Sequence, residues 1–155
     1  MAKKKVKPIP KGYRSVTPAL NVSDAKGLIA FCKKAFGGKL RASMPGPDGK
    51  IMHAEIVIGD SVVMVSDAMN QPATTSALHV FVPDCDVVYG KAVAAGATPK
   101  MPLQDMFWGD RFGTVGDPFG NTWSIATHKE DVSPEEMQKR MAELPPPGGP
   151  PVASA

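Results

Sequence analysis

His53 and Glu55 stand two residues apart in Ile51-Met52-His53-Ala54-Glu55-Ile56-Val57-Ile58, and His79 stands in Ala77-Leu78-His79-Val80-Phe81. Two imidazoles and a carboxylate are the ingredients of a facial metal triad and equally of an acid–base pair. They also suit a polar wall whose members satisfy one another or are satisfied by water. A second group, Phe107, Trp108 and Arg111, joins aromatic surface for a planar ligand to a guanidinium able to clamp an anion through two parallel hydrogen bonds. The alternative for Arg111 is a pair with Asp110 or Asp117 that pins a loop. Met44, Met52, Met64, Met101 and Met106 suit either an adaptable apolar pocket or plain core filling. His128 precedes Lys129-Glu130-Asp131 and reads as a surface residue. Gly46-Pro47-Asp48-Gly49-Lys50 is a turn without the spacing that cradles phosphate, and no Gly-x-Ser-x-Gly nucleophile elbow occurs.

The elements that must position these residues repeat. Laid over itself at an offset of sixty residues with no gap, the chain sets Val22-Ser23-Asp24 on Val82-Pro83-Asp84 and Ser61-Val62-Val63-Met64-Val65 on Asn121-Thr122-Trp123-Ser124-Ile125. Each repeat reads as a strand, a helix capped by Asp24 or Asp84 and ended at Gly37-Gly38 or Gly96, and three further strands. Expected strands are 15–22, 39–44, 50–58 and 61–66 in the first unit, and 76–82, 98–101, 111–116 and 121–127 in the second. Strand alternation sends Ala54, Ile56 and Ile58 to the first helix and leaves His53, Glu55 and Val57 on the open face. The same rule sets Leu78, Val80 and Val82 under the second helix and Ala77, His79 and Phe81 on the open side. Trp123 reads as core. A sixty-residue unit with one covered sheet face is marginal alone, so the two sheets are expected to enclose a shared cavity.

The expected organisation is an α+β fold with a basic disordered arm over 1–11, a first βαβββ unit over 12–68, a second over 76–128, a helix over 133–144 and a disordered Pro-rich tail over 145–155. Ser133-Pro134-Glu135-Glu136 is a capping box for that helix. Residues 1–11 hold five lysines and no acid, leaving 13 basic against 15 acidic side chains elsewhere. The folded part has no basic excess to neutralise phosphates, which argues against nucleic acid as a partner. No stretch is apolar enough to span a membrane. Cys32 and Cys85, the two cysteines, form neither a disulfide framework nor a zinc module, and the expected residence is cytoplasmic.

The paired βαβββ units, the Val22-Ser23-Asp24 helix opening, Ala94-Ala95-Gly96-Ala97, and above all Gly109-Asp110-Arg111 followed by Asp117-Pro118-Phe119-Gly120-Asn121-x-Trp123 and Ala126-Thr127-His128 resemble the glyoxalase/bleomycin-resistance/dioxygenase superfamily of vicinal-oxygen-chelate proteins. Within it the chain resembles the PhnB-like branch. The resemblance covers residues 12–143. It implies a dimeric scaffold whose cavity holds a divalent metal in some members and only a small molecule in others. The family's ligand positions, on the first and last strand of each unit, carry over to Thr17, Met64, Ala77 and Ser124, none of which is a histidine or carboxylate.

The expectation is therefore a homodimeric small-molecule-binding protein without metal or other cofactor, its ligand held by Met64, Phe81, Phe107, Trp108, Arg111 and Ser124. The alternative is a metal-dependent lyase or dioxygenase in which His53, Glu55 and His79 serve as catalytic residues at a displaced divalent-metal or acid–base site.

Overall fold

The computed structural model describes residues 6–145; the disorder expected for 1–5 and 146–155 lies outside the described residues. Residues 6–18 form no helix or strand. The elements follow as β1 (Ala19–Val22), α1 (Ala25–Phe36), β2 (Lys39–Pro45), β3 (Ile51–Ile58), β4 (Ser61–Asp67), β5 (Ala77–Phe81), α2 (Cys85–Ala94), β6 (Thr98–Asp105), β7 (Asp110–Gly116), β8 (Thr122–His128) and α3 (Pro134–Ala142), with a short 3₁₀ turn at Pro47–Gly49. Two four-stranded sheets result, ordered β1-β4-β3-β2 and β5-β8-β7-β6. In each, the first and last strands of the unit run parallel and the other pairs antiparallel. This is the expected α+β architecture of paired βαβββ units.

Local chemistry explains why the repeat folds twice in the same way. The Asp24 carboxylate accepts from Gly27 N at 2.9 Å and that of Asp84 from Val87 N at 3.1 Å, satisfying orphan donors of the first helical turns. Gly37 takes the left-handed conformation, φ 64°, that ends α1. A second pair of caps comes from the last strand of each unit: Asp67 accepts from Ala25 N at 2.9 Å, and Thr127 Oγ1 from Cys85 N at 2.8 Å. These pairs are sixty positions apart, as the repeat requires.

The offset drops by one over the two middle strands of each unit, where the pair Lys39 and Val57 answers to Thr98 and Gly116. Glu55 lies opposite Met64 and Thr114 opposite Ser124, so the third strands are 59 positions apart while the last strands are 60 apart. Between equivalent paired positions the β7–β8 connection is one residue longer than the β3–β4 connection: nine residues separate Thr114 from Ser124, and eight separate Glu55 from Met64. A slip of one residue reverses the faces of a strand; Phe112, not Gly113, is the counterpart of His53. Strand limits also differ from expectation. β1 begins at Ala19 rather than residue 15, because Pro18 lacks the amide that would extend the ladder and the preceding chain turns away toward Glu55. β6 continues to Asp105, crossing Pro102 on an edge strand with a shifted register.

One apolar core serves both units. Leu28, Phe31, Cys32 and Ala35 of α1, Ile56, Val63 and Val65 of the first sheet, and Val115, Trp123 and Ile125 of the second are buried together. Each large side chain so enclosed is worth about 1.5–3 kcal/mol relative to exposure. Trp123 is the bridge: its ring lies 4.7 Å from that of Phe36 and 6.4 Å from that of Phe31, both on α1 of the other unit. The two helices therefore face one core, and the open sheet faces stay largely uncovered within one chain, with Phe81 63% and Met44 54% exposed. The expected shared cavity is replaced by a cleft of about 690 Å³ at the seam between the units, lined among others by Thr17, Phe36, Val62, His79, Phe81 and Trp123. Among the described residues no helix is long and apolar enough to cross a membrane.

Candidate functional site

The open face of the second sheet carries a run of rings. Alternation on β5 and the register of β5, β8 and β7 set His79, Ser124, Thr114, Phe81, Ala126 and Phe112 on that face. His79 stacks on Phe112 at 5.6 Å with the planes 7° apart, and the Phe81 ring lies 4.7 Å from that of His79. Trp108 meets Phe112 edge-on at 6.1 Å, and Phe107 meets Trp108 at 5.0 Å. Five rings thus form one platform. Phe112, which sequence reasoning passed over, is its centre; only the 59-residue spacing reveals its face.

Trp108 is held from behind. Its indole nitrogen donates to Asp110 Oδ2 at 3.0 Å, and the other oxygen of this buried carboxylate meets His128 Nδ1 at 2.7 Å. His128 Nε2 reaches Asp131 at 2.8 Å. An imidazole with a carboxylate at both nitrogens donates twice only when protonated, and Asp131 first, then Asp110, raise the His128 pKa above its ordinary value. The Gly109 carbonyl accepts from Lys129 N and Glu130 N, and Arg140 of α3 bonds Glu130, Glu136 and the Phe107 carbonyl. The C-terminal helix braces the loop that presents Phe107 and Trp108.

Arg111 requires a correction. It lies opposite Thr127 on the helix-bearing face, where Nε and Nη2 hold both oxygens of Asp86 at 2.8 and 2.9 Å and Nη1 reaches Asp105 at 3.4 Å. It does not join Trp108 at the ring platform, and its partners are neither Asp110 nor Asp117.

On the first sheet His53 Nε2 lies 3.3 Å from Glu55 Oε1, and Met64 sits opposite Glu55 on the same face. Glu55 also accepts from the Tyr13 hydroxyl and pairs with Arg41 Nε at 3.0 Å. The Tyr13 bond first, helped by His53 and Arg41, holds the Glu55 carboxyl below the usual range, while the same bond raises the Tyr13 phenol. Tyr13 and Arg41 have no periodic signal in the sequence. His79 shares none of these partners: its neighbours are the rings of Phe81 and Phe112. The structure brings His53 and Glu55 together and leaves His79 on the other sheet.

The positions implied for a metal do not fit one. The register sets Met64 opposite Ala19 and Ser124 opposite His79, so the cross-strand neighbours are Ala19 and His79 rather than Thr17 and Ala77. That set offers one imidazole with a thioether, a hydroxyl and a methyl group, too few hard or borderline donors for a divalent ion. Among the described residues no group of three His, Cys, Asp or Glu is placed to hold a metal ion.

The arrangement defines a class. Residues 14–125 match the family described as the Glyoxalase/Bleomycin resistance protein/Dioxygenase superfamily, and the chain belongs to it. An uncharacterised protein of Mycobacterium bovis is 36% identical over 140 residues, covering 83% of this chain and 92% of its own. The crystal structure of TioX from Micromonospora sp. ML1 is similar at TM-score 0.63 with 28% identity, covering 74% of this chain and 99% of that one. TnmS3, an antibiotic binding protein from Streptomyces sp. CB03234, shares the fold at TM-score 0.58 and 19% identity, covering 76% and 100% respectively.

Proposed function

We propose that the chain is a small-molecule-binding protein of this superfamily, working without a metal, whose ligand lies on the ring platform of the second sheet. The observation that carries the reading is the contiguous set Phe81, His79, Phe112, Trp108 and Phe107 on an uncovered sheet face. Exposed apolar surface of this kind marks interaction sites, and flat rings favour a planar, partly aromatic ligand by offset stacking. Met64 and Ser124 are wall positions on the two open faces. The enzyme alternative needs His53, Glu55 and His79 at one centre, and the separation of His79 from the other two speaks for binding. A homodimer that covers the open faces, the PhnB-like branch suggested by Asp117-Pro118-Phe119-Gly120 with Trp123, and a reducing cytoplasm suited to buried free thiols at Cys32 and Cys85 complete the proposal.

The test is titration with 8-anilinonaphthalene-1-sulfonate as the planar probe. Saturable fluorescence enhancement is expected, weakened about tenfold or more in Phe112→Ala and Trp108→Ala, which corresponds to about 1.4 kcal/mol. Arg111→Ala should bind like the wild type. Equal affinity across all four proteins would exclude the platform as the binding site.

A further inference from the structure

The segment before β1 has no helix or strand, yet it places one side chain with care. Tyr13 reaches across to the open face of the first sheet, its hydroxyl donating to Glu55 Oε1. The Arg41 guanidinium covers its ring at 4.7 Å and at the same time pairs with Glu55 Oε2 at 3.0 Å. Arg41 Nη2 also donates to the Lys11 carbonyl at 3.2 Å. Gly12 makes this approach possible: it has φ 86°, and a Cβ there would meet Arg41 Nη1 at 2.6 Å. Its neighbours grip the body weakly. Arg14 reaches Asp60 at 3.6 Å with both side chains more than two-thirds exposed, a pair of little worth.

Glu55, in contrast, belongs to the sheet and is largely shielded, its side chain 12% exposed. Glu55, Arg41 and His53 therefore form a fixed receptor, and Tyr13 is a tethered occupant. The receptor has the chemistry that recognises a phenol: an ionised carboxylate to accept a hydrogen bond from the hydroxyl, and a cation over the ring face. Around it the sheet offers Met64 opposite Glu55 and Met44 opposite His53, adaptable apolar surface for the rest of a ligand.

We propose that the Glu55–Arg41–His53 cluster is a second binding site, selective for phenolic compounds, and that Tyr13 fills it as an intramolecular stand-in which an incoming phenol displaces. The depressed Glu55 and raised Tyr13 pKa values agree with a proton that stays on the phenol oxygen. A tethered competitor acts at an effective concentration that reaches the millimolar range, so it masks affinity that the receptor itself possesses.

The probe is 4-nitrophenol buffered at its own pKa, where binding of the neutral phenol bleaches the phenolate absorbance. Wild type is expected to bind weakly, and Tyr13→Ala about tenfold or more tightly. The gain should vanish in the double variant Tyr13→Ala with Glu55→Leu and persist in Tyr13→Ala with Phe112→Ala, which separates this site from the ring platform. In the wild type, the probe should also speed tryptic cleavage after Arg14, and cyclohexanol should not. The proposal is overturned if Tyr13→Ala binds no tighter than wild type, or if its gain survives loss of Glu55. Should Tyr13→Ala fail to fold, the cleavage assay decides alone, and an unchanged rate with the probe overturns it.

Discussion

The indole nitrogen of Trp123 donates to Asp117 Oδ2 across 2.8 Å, deep in the core. The same buried carboxylate accepts from Asn121 Nδ2 at 2.9 Å and from the amides of Phe119 and Asn121 at 2.8 and 2.9 Å. Asp117 thus ties the β7–β8 turn and orients the tryptophan that bridges the two units. The Asp-Pro-Phe-Gly-Asn-x-Trp motif is a structural hub.

Trp123→Ala is accordingly expected to cost about 3–5 kcal/mol. Asp117→Ala should be comparably damaging, because it strands buried donors at about 1–3 kcal/mol each. Trp108→Ala removes one partly buried ring and one hydrogen bond and should cost about 1 kcal/mol. Urea unfolding of the three variants checks the order; a Trp108→Ala loss as large as that of Trp123→Ala would mean that Trp108 is core.

His128 makes stability depend on pH near neutrality. Its folded pKa is raised by Asp131 and Asp110, so its contribution is complete below the unfolded value of about 6.5 and is lost as pH rises through the higher folded value. Thermal midpoints should fall across that window in the wild type and fall less in His128→Gln. The bond from Asp110 to Trp108 links this titration to the ring platform, so probe affinity should decline over the same range. Parallel pH profiles for the two proteins would remove the effect.

Cys32 should be inert in the folded protein. Burial, with a contribution from Asp117, pushes its thiol up to about 12, leaving almost no thiolate at neutral pH. Cys85 is also buried. Both are expected to react with a disulfide reagent only on the timescale of unfolding; stoichiometric reaction within seconds in native buffer would contradict this.

Metal content tests the donor chemistry directly. Incubation with nickel, zinc, manganese or ferrous iron followed by desalting is expected to leave well below one ion per chain by elemental analysis. One retained ion per chain that disappears in His79→Ala would instead make His79, beside Ser124, part of a metal site.

Light scattering is expected to show a homodimer at micromolar concentration, since two copies can cover the open faces that Phe81 and Met44 leave exposed. A monomer at high micromolar concentration would defeat that part of the proposal.

Features set by neighbours along the chain were legible in the sequence. Asp24 and Asp84 announce helix starts, Ser133 caps α3 by accepting from Glu136 N, and alternation places Ala54, Ile56 and Ile58 against α1 and His53, Glu55, His79 and Phe81 on open faces. These follow from local hydrogen bonding and the period-2 geometry of strands, which each segment carries with it. What needed the tertiary structure was pairing between distant segments. The one-residue difference in spacing between β7 and β8 decides that Phe112 joins the rings, Arg111 finds Asp86 rather than Asp110 or Asp117, and Tyr13 crosses 42 positions to reach Glu55. A side chain's partner across such a distance depends on strand register and on how two units share a core, and neither is written in the periodicity of any one segment.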